Sequence, residues 1–299
     1  MSSDIITQPT HTASAPGAEV PASDPVSGRP KRAGGPRKVT IWLGRLAIVV
    51  VALALWQFLP EIKSLRDFSP VFDPFFVSSP QRVLERLGDL LFGADGQATM
   101  WSDLWTTMKG TLLGVAIGTT LGAAFGLLLS NNATAQALLS PFVVFFNAVP
   151  RIALIPIFVI IAGPTLTASV LTAVVTVFFL VFYNAFAGGL SVPAQTVQNA
   201  RLLGATSWEI MRHVRLQYVL VWTFASLPNA ISFGLVAVVT AEILTGRLGM
   251  GRLLFNSISS VDSTLTFTVV VILSVVGVAL VTMADLVQKR VLHWWEGSS

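Results

Sequence analysis

The sequence predicts an all-α membrane protein with six transmembrane helices. Hydrophobic residues make up 53% of the 299-residue chain and charged residues only 11%, whereas soluble domains carry about 25% charged residues. Several apolar runs reach the roughly 20 residues that a helix needs to cross a bilayer. These runs are continuous and do not alternate between apolar and polar positions, so they favour helices over the strands of a membrane barrel.

Six segments have the length and apolarity of membrane-spanning helices. They are Ile41–Leu59, Leu104–Leu129, Gln136–Ile161, Thr165–Ala187, Val219–Leu244 and Leu265–Val287. The first one follows about forty polar residues and is longer than the apolar part of a signal peptide, so we expect it to remain in the protein.

These spans divide the chain into five parts. Residues 1–38 are rich in Ser, Thr, Pro, Ala and Gly, a composition that predicts a disordered cytoplasmic tail. An N-terminal transmembrane helix (39–60) and an extracytoplasmic segment with a short amphipathic helix (61–103) come next. A core of five transmembrane helices (104–287), with a cytoplasmic loop at 191–217, precedes a cytoplasmic C-terminal tail (288–299).

The orientation follows from the basic residues beside the spans. Arg29, Lys31, Arg32, Arg37 and Lys38 precede the first span. Because loops rich in Lys and Arg stay in the cytoplasm, we expect the N-terminus to be cytoplasmic, and six spans return the C-terminus to the same side. The net charge of +4 therefore reflects topology, and we expect no binding to nucleic acid.

A short amphipathic helix is predicted between the first two spans. Ser79 is placed to cap it and Pro80 suits its first turn. Its apolar positions follow helical spacing and are Val83, Leu84, Leu87, Leu90 and Leu91. A helix on the outer membrane surface and a binding surface both fit this pattern.

Glycines recur every four residues along the second span, at Gly110, Gly114, Gly118, Gly122 and Gly126. This spacing places all five near one face of a helix, where small residues allow close approach of another helix. Packing inside one copy and a seam between two copies are both consistent with the repeat.

The third span contains helix-breaking prolines and an arginine. Pro150 and Pro156 flank Arg151, and broken helices within a membrane occur where they line protein or a water-filled path. Glu242, near the end of the fifth span, is the other ionisable residue at membrane depth. We take Pro150, Arg151, Pro156 and Glu242 as candidates for the translocation pathway or its gate. Pairing between Arg151 and Glu242, or capping of a helix by Glu242, is the structural alternative.

The loop before the fifth span encodes two helices joined at a corner. Pro193 opens the first helix, and Gly204 lies where this helix would end in left-handed geometry. Thr206 and Glu209 then have the spacing of a capping box. An amphipathic helix on the inner leaflet would explain the basic residues that follow, but it would not explain the glycine.

This loop resembles the EAA loop of the permease subunits of ATP-binding-cassette importers, which runs Glu-Ala-Ala, three residues, Gly, nine residues, Ile, one residue, Leu-Pro. The matching positions here are Gln198, Asn199, Ala200, Gly204, Val214, Leu216 and Gln217. The spacing has no gap, but Gln198 replaces the acid, Asn199 an alanine and Gln217 the proline. Chain segments from about residue 78 onward also resemble the nitrate/sulfonate/taurine type of these permeases, including NAVPRIALIPIFVIIAG and SLPNAISFGLVAVVTAEILTGRLGMGRLL.

The resemblance implies a type I ABC importer permease bundle of the MetI-like kind in the cell inner membrane. It implies a pair of permeases, with a homodimer favoured, two ATPase subunits and an extracytoplasmic solute-binding protein. The coupling loop would dock on the ATPase through Gln198, Asn199, Ala200, Arg201, Gly204, Ala205, Thr206 and Trp208. The solute would be small and similar to sulfonates, taurine, nitrate or a vitamin precursor.

The chain has no motif for catalysis of its own. It lacks the G-x-x-x-x-G-K-[ST] loop of an ATPase and the clustered ligands of a metal site. We therefore expect a non-catalytic subunit without cofactors, whose partner ATPase binds ATP and Mg²⁺. The alternative is a secondary transporter or channel not coupled to an ATPase. That would require ion-coupling carboxylates or inverted repeats, and Glu242 is a lone acid in the core spans.

Overall fold

The computed structural model describes residues 38–58, 62, 77–93 and 97–292, and the regular structure in these ranges is helical. The chain divides into two units between Val50 and Val51. This boundary lies within the first helix, α1 (Lys38–Phe58). Most of the predicted disordered tail, much of the acidic segment after α1 and residues 293–299 lie outside the described ranges.

Within the described ranges, ten further α-helices follow α1. They are α2 (Pro80–Phe92), α3 (Gln97–Ser130), α4 (Ala133–Ala148), α5 (Ile155–Ala162), α6 (Leu166–Leu190), α7 (Ala194–Leu202), α8 (Ser207–Ile210), α9 (Leu216–Thr245), α10 (Gly249–Ser259) and α11 (Ser263–Val291). A 3-10 turn, Arg151–Leu154, precedes α5. A π-helical turn, Met211–Arg215, joins α8 to α9.

The predicted fold class is confirmed. Among the described residues, five helical stretches are long and apolar enough to cross a membrane, and a bent pair of helices raises the number to six when it counts as one span. The five are Ile41–Phe58, Met100–Ser130, Leu166–Leu190, Ser207–Thr245 and Ser263–Val291. Two predicted boundaries move outward, because the second span is part of a helix that begins at Gln97 and the last helix ends at Val291.

The third predicted span is broken. Its two halves, Thr134–Ala148 and Arg151–Ala162, meet at an angle of 84°. Val149 adopts an extended conformation with φ −65° and ψ 126°, as expected for a residue before proline, since the pyrrolidine ring excludes the helical conformation there. Pro150 is also extended, with ψ 109°. By contrast, Pro141 lies inside α4, so a proline alone does not decide where this span breaks.

The glycine repeat of α3 packs inside one copy of the chain, against α6. A methyl group added to Gly114 would lie 2.3 Å from the Cβ of Ala173, and one added to Gly122 would lie 2.8 Å from the carbonyl oxygen of Phe178. On the facing side of α6, Val177 is fully buried. Of the two explanations for the repeat, the structure supports internal packing for this face.

The amphipathic helix α2 forms as predicted and packs on the bundle. Its Val83 is 3% exposed, and Leu90 belongs to a buried cluster with Met250 of α10 and Val269 of α11. Ser79 occupies the N-cap position, but its side chain makes no capping hydrogen bond. The prediction that Ser79 is the N-cap residue is therefore confirmed, but its hydroxyl does not cap the helix, and its carbonyl oxygen accepts the N–H of Val83 at 3.0 Å.

Candidate functional site: a helix corner and a polar cavity

The corner between α7 and α8 is a complete Schellman motif. Gly204 has φ +87°, a left-handed conformation that glycine adopts without steric cost. The N–H of Ala205 donates to the carbonyl of Ala200 at 3.0 Å, and the N–H of Gly204 donates to that of Arg201 at 3.0 Å. These two hydrogen bonds satisfy the carbonyl groups that a helix end leaves free, so the corner has one defined geometry.

A capping box starts the next helix. The N–H of Glu209 donates to the hydroxyl oxygen of Thr206 at 3.3 Å, and the N–H of Thr206 donates to the Glu209 carboxylate at 2.8 Å. The predicted helix, glycine corner and helix are all present in the structure. Each helix end at the corner is closed by its own hydrogen bonds, which makes the corner a rigid unit.

Large apolar side chains project from this corner. Leu202 is 85% exposed and Leu203 is 89% exposed, and Trp208 on the other side of the glycine is 63% exposed. Trp208 is one of the predicted docking residues. Of the remaining seven, Ala200 and Ala205 are half-buried, and the exposed ones are Gln198, Asn199, Arg201, Gly204 and Thr206. An exposed apolar group of this kind on a polar loop is typical of a surface that binds a partner. Leu202 and Leu203 were not among the predicted docking residues, although two leucines directly before the corner glycine are a visible signal.

The corner is joined firmly to the membrane helices. Ile210 is 3% exposed and Met211 is 8% exposed, so the start of the second helix is anchored in the protein. A guanidinium nitrogen of Arg215 donates to the carbonyl of Ser130, the last residue of α3. The helix continues from Ser207 to Thr245, so the corner is joined directly to α9 and, through Arg215, to the end of α3.

A cavity with a mostly apolar wall and a few polar side chains lies beside the break in the third span. It has a volume of about 430 Å³ and is bounded by the Pro150 turn, α6 and α9. The residues that line it are Asn147, Ala148, Val149, Pro150, Arg151, Ile152, Ile155, Thr172, Thr176, Phe233, Val236, Ala237 and Thr240. Two of the four pathway candidates, Pro150 and Arg151, are among them. Pro156, in the first turn of α5, and Glu242 are not.

Arg151 has neutral partners in the cavity wall. Its Nη2 donates to the Oδ1 of Asn147 at 2.8 Å, and its guanidinium carbon lies 5.8 Å from the ring centre of Phe179. Its Nε is buried and has no hydrogen-bond partner. The structure therefore does not pair Arg151 with Glu242.

Glu242 is buried at a junction of three helices. It is 1% exposed, and its Oε2 accepts the Thr107 hydroxyl at 2.7 Å and the N–H of Gly251 at 3.1 Å. The oxygen of Thr107 in turn accepts the N–H of Met250 at 2.9 Å. A Cβ at Gly249 would lie 2.1 Å from Oε1 of Glu242. The carboxylate thus holds the start of α10 against α3 and α9.

An ion pair makes a second link between α3 and α10. Arg252 donates to the carboxylate of Asp103 at 2.5 Å. These residues are 149 positions apart, which explains why their pairing was not predicted from the sequence.

Comparison with known proteins identifies the family. Residues 114–293 match the model of the family described as binding-protein-dependent transport system inner membrane component. The taurine transport system permease protein TauC of Escherichia coli is 24% identical over 260 residues, a match that covers 86% of this chain and 90% of that protein. The riboflavin transport system permease protein RibX of Chloroflexus aurantiacus is 25% identical over 156 residues, and here the match covers 52% of this chain and 58% of the relative.

Two solved structures share the fold. The methionine ABC transporter MetNI, in an inward-facing conformation, has a chain that superposes with a TM-score of 0.58 at 21% identity, covering 65% of this chain and 96% of that one. An amino acid ABC transporter, crystallised with histidines, gives 0.55 at 20% identity, covering 68% and 98%. The matched family model spans more than half of the sequence. The chain therefore belongs to the binding-protein-dependent transport system inner membrane components, the permease family of ABC importers.

Proposed function

We propose that this chain is the permease subunit of an ATP-driven importer of a small solute, that two copies form the translocation pathway, and that separate ATPase subunits drive it. In this assembly a solute-binding protein delivers the solute from outside, and both termini and the α7–α8 corner lie in the cytoplasm. The observation that carries the proposal is the corner itself, where Leu202, Leu203 and Trp208 project from a rigid polar loop. The family and the structural relatives support an ABC system with an ATPase partner.

The helices connect this corner to the cavity. The second helix of the corner continues through the π-helical turn Met211–Arg215 into α9, which contains Pro228 and carries Phe233 and Thr240 on the cavity wall. A displacement of the docked corner by the ATPase would therefore move one wall of the cavity. Rigid-body motion of packed helices is a common way in which such a push opens one side of a pathway and closes the other. The coupling requires contacts that differ between the two states.

We assign the chain no catalytic step. ATP and Mg²⁺ are bound and ATP is hydrolysed by the partner, because the sequence has no phosphate-binding loop of its own. Relatives of this chain are named as permeases for riboflavin, taurine, aliphatic sulfonates and nitrate. They support a small solute of one of these types.

Co-purification tests the proposed docking. The tagged chain is purified from its own membranes in a mild detergent, and the proteins that accompany it are identified by mass spectrometry. We expect a P-loop ATPase near one-to-one stoichiometry with the wild-type chain and its loss in Leu203→Asp, which places a charge in the docking surface. Leu84→Asp is the matched control, because Leu84 is 66% exposed on α2, far from the corner in sequence. Equal recovery of the ATPase with both variants would overturn the assignment of the corner.

A further inference from the structure

The cavity beside Pro150 has an uncompensated positive charge. Arg151 is the one charged residue among those that line it in the described structure, and no acidic residue lines it. Glu242, the acid at membrane depth in the neighbouring helix, is directed away to Thr107 and Gly251. Among the described residues of one copy, the charge of Arg151 is met by the amide of Asn147 and the ring of Phe179.

This arginine lies at the depth of the middle of a transmembrane helix. Phe179, the ring beneath the guanidinium, follows the central residue of α6 (Leu166–Leu190). A charge at such a depth is costly unless it has a counter-charge or reaches water, and arginines at this depth commonly mark a substrate or ion pathway. The cost is relieved here only in part, since neutral partners do not balance a full positive charge.

The cavity wall carries both donors and acceptors of hydrogen bonds. Arg151 donates to the Oδ1 of Asn147 through one of its nitrogens, and the amide N–H groups of Asn147 are not used in that contact. The hydroxyl protons of Thr172, Thr176 and Thr240 are donated to carbonyl groups one turn back in their own helices. Those three oxygens therefore offer acceptor positions only.

We propose that Arg151 and Asn147 form an anion-binding subsite within the membrane, which takes the oxoanion group of a small solute such as a sulfonate, a carboxylate or nitrate. The planar guanidinium has several donors arranged to meet an oxoanion, and charge-assisted hydrogen bonds of this kind are the strong ones. The proposal rests on the proposed transport function and adds to it a selection step in the permease itself. The three threonine oxygens would accept hydrogen bonds from an amine or hydroxyl on the rest of the solute.

Saturation-transfer NMR with the intact permease complex in lipid nanodiscs tests this subsite. Methanesulfonate is the anionic probe, and dimethyl sulfone is a neutral molecule of similar shape. We expect a saturable signal from methanesulfonate and none from dimethyl sulfone in the wild type. Arg151→Gln should weaken the affinity for methanesulfonate about tenfold or more, because it removes a charged hydrogen-bond donor. Arg151→Lys should restore part of it, since the charge remains.

Arg247→Gln is the matched control, because Arg247 is exposed and does not line the cavity. Co-purification of the ATPase shows that each variant is folded. Unchanged binding of methanesulfonate in a folded Arg151→Gln complex, or equal binding of dimethyl sulfone, would overturn the subsite.

Nanodiscs of phosphatidylcholine alone are compared with discs that also contain phosphatidylglycerol. If phosphatidylglycerol abolishes the probe signal, a lipid headgroup occupies the site and the solute subsite is rejected.

The test separates the two levels of the proposal. Absence of methanesulfonate binding to the wild-type complex, with the ATPase still bound, would reject only the subsite. Absence of any ATPase in the purified wild-type complex would reject the proposed function, whatever the probe does.

Discussion

At the scale of single residues, Glu242 shows how a buried carboxylate serves a membrane helix junction. Its Oε2 is held by Thr107 and Gly251, and the turn that approaches it contains glycines at 249 and 251. Gly249 has φ +70°, and its missing side chain leaves room for the carboxylate. Glycine at this position is therefore required by both the backbone conformation and the space.

We expect Gly249→Ala to destabilise the protein by at least about 1–2 kcal/mol, the cost of a left-handed conformation with a Cβ, with a further loss from contact with Glu242. Thermal unfolding in detergent, followed through tryptophan fluorescence, measures the change. Gly88→Ala is the control, because no atom lies within 4 Å of a Cβ there and Gly88 is within the helix α2. Equal unfolding temperatures for the two variants would contradict this view of the junction.

At the scale of elements, the glycine repeat of α3 sets the distance between α3 and α6. Lipid tails are as apolar as the side chains of a membrane helix. Packing between helices in lipid therefore depends on close contact and less on the exclusion of water. A Cβ added to Gly118 would lie 2.9 Å from the carbonyl oxygen of Val174, and one added to Gly126 would lie 2.7 Å from the Cβ of Ala185. The two helices are therefore in contact along most of their length.

Gly122→Val should reduce the yield of folded protein, since overpacking a close contact costs about 1–3 kcal/mol or more and the obstacle here is backbone of α6. Size-exclusion chromatography of a fluorescently tagged chain measures that yield. Ala116→Val adds a similar volume to an exposed position of the same helix and is expected to be tolerated. A normal yield of Gly122→Val would show that the α3–α6 contact is looser than described.

The corner makes a different prediction, about coupling. Gly204→Pro fixes φ near −65° where the structure has +87° and removes the N–H that donates to Arg201. The variant should insert normally and lose its ATPase in co-purification. Gly204→Asn should keep the ATPase, because asparagine tolerates the left-handed conformation. Normal ATPase binding and uptake by Gly204→Pro would refute the docking geometry.

The elements also show what the sequence can predict. Apolar runs locate the spans, and local signals such as Gly204 and the Thr206–Glu209 box locate the corner, because each depends on neighbours in the chain. No local signal in the sequence distinguishes the break at Pro150 from Pro141, which lies inside a helix. Thr107, one of the two partners of Glu242, is 135 positions away, and no local pattern indicates it. The glycine repeat predicted a close helix contact, but its partner helix emerged only from the fold.

At the scale of the whole molecule, topology is the prediction to test. The positive-inside rule places both termini and the corner in the cytoplasm, and with an even number of spans the turn after α10 then faces outside. The chain contains no cysteine, so a single introduced thiol reports its own position without background.

We expect Gln195→Cys, in α7 and outside the predicted docking residues, to react with a membrane-impermeant maleimide in inside-out vesicles only, and Ser260→Cys in right-side-out cells only. Both positions are exposed in the structure, so protection can be attributed to the membrane. The reverse pattern, or labelling of both residues from one side, would contradict six spans in the proposed orientation.

Site-specific photocrosslinking from position 203 in native membranes tests most directly whether the corner contacts an ATPase. A benzophenone amino acid replaces Leu203, which is 89% exposed, and the adduct is identified by mass spectrometry. We expect an adduct with a P-loop ATPase, and none with that protein from position 84 on α2. Adducts only with lipid at position 203 would contradict it, and would favour a corner that lies on the inner leaflet.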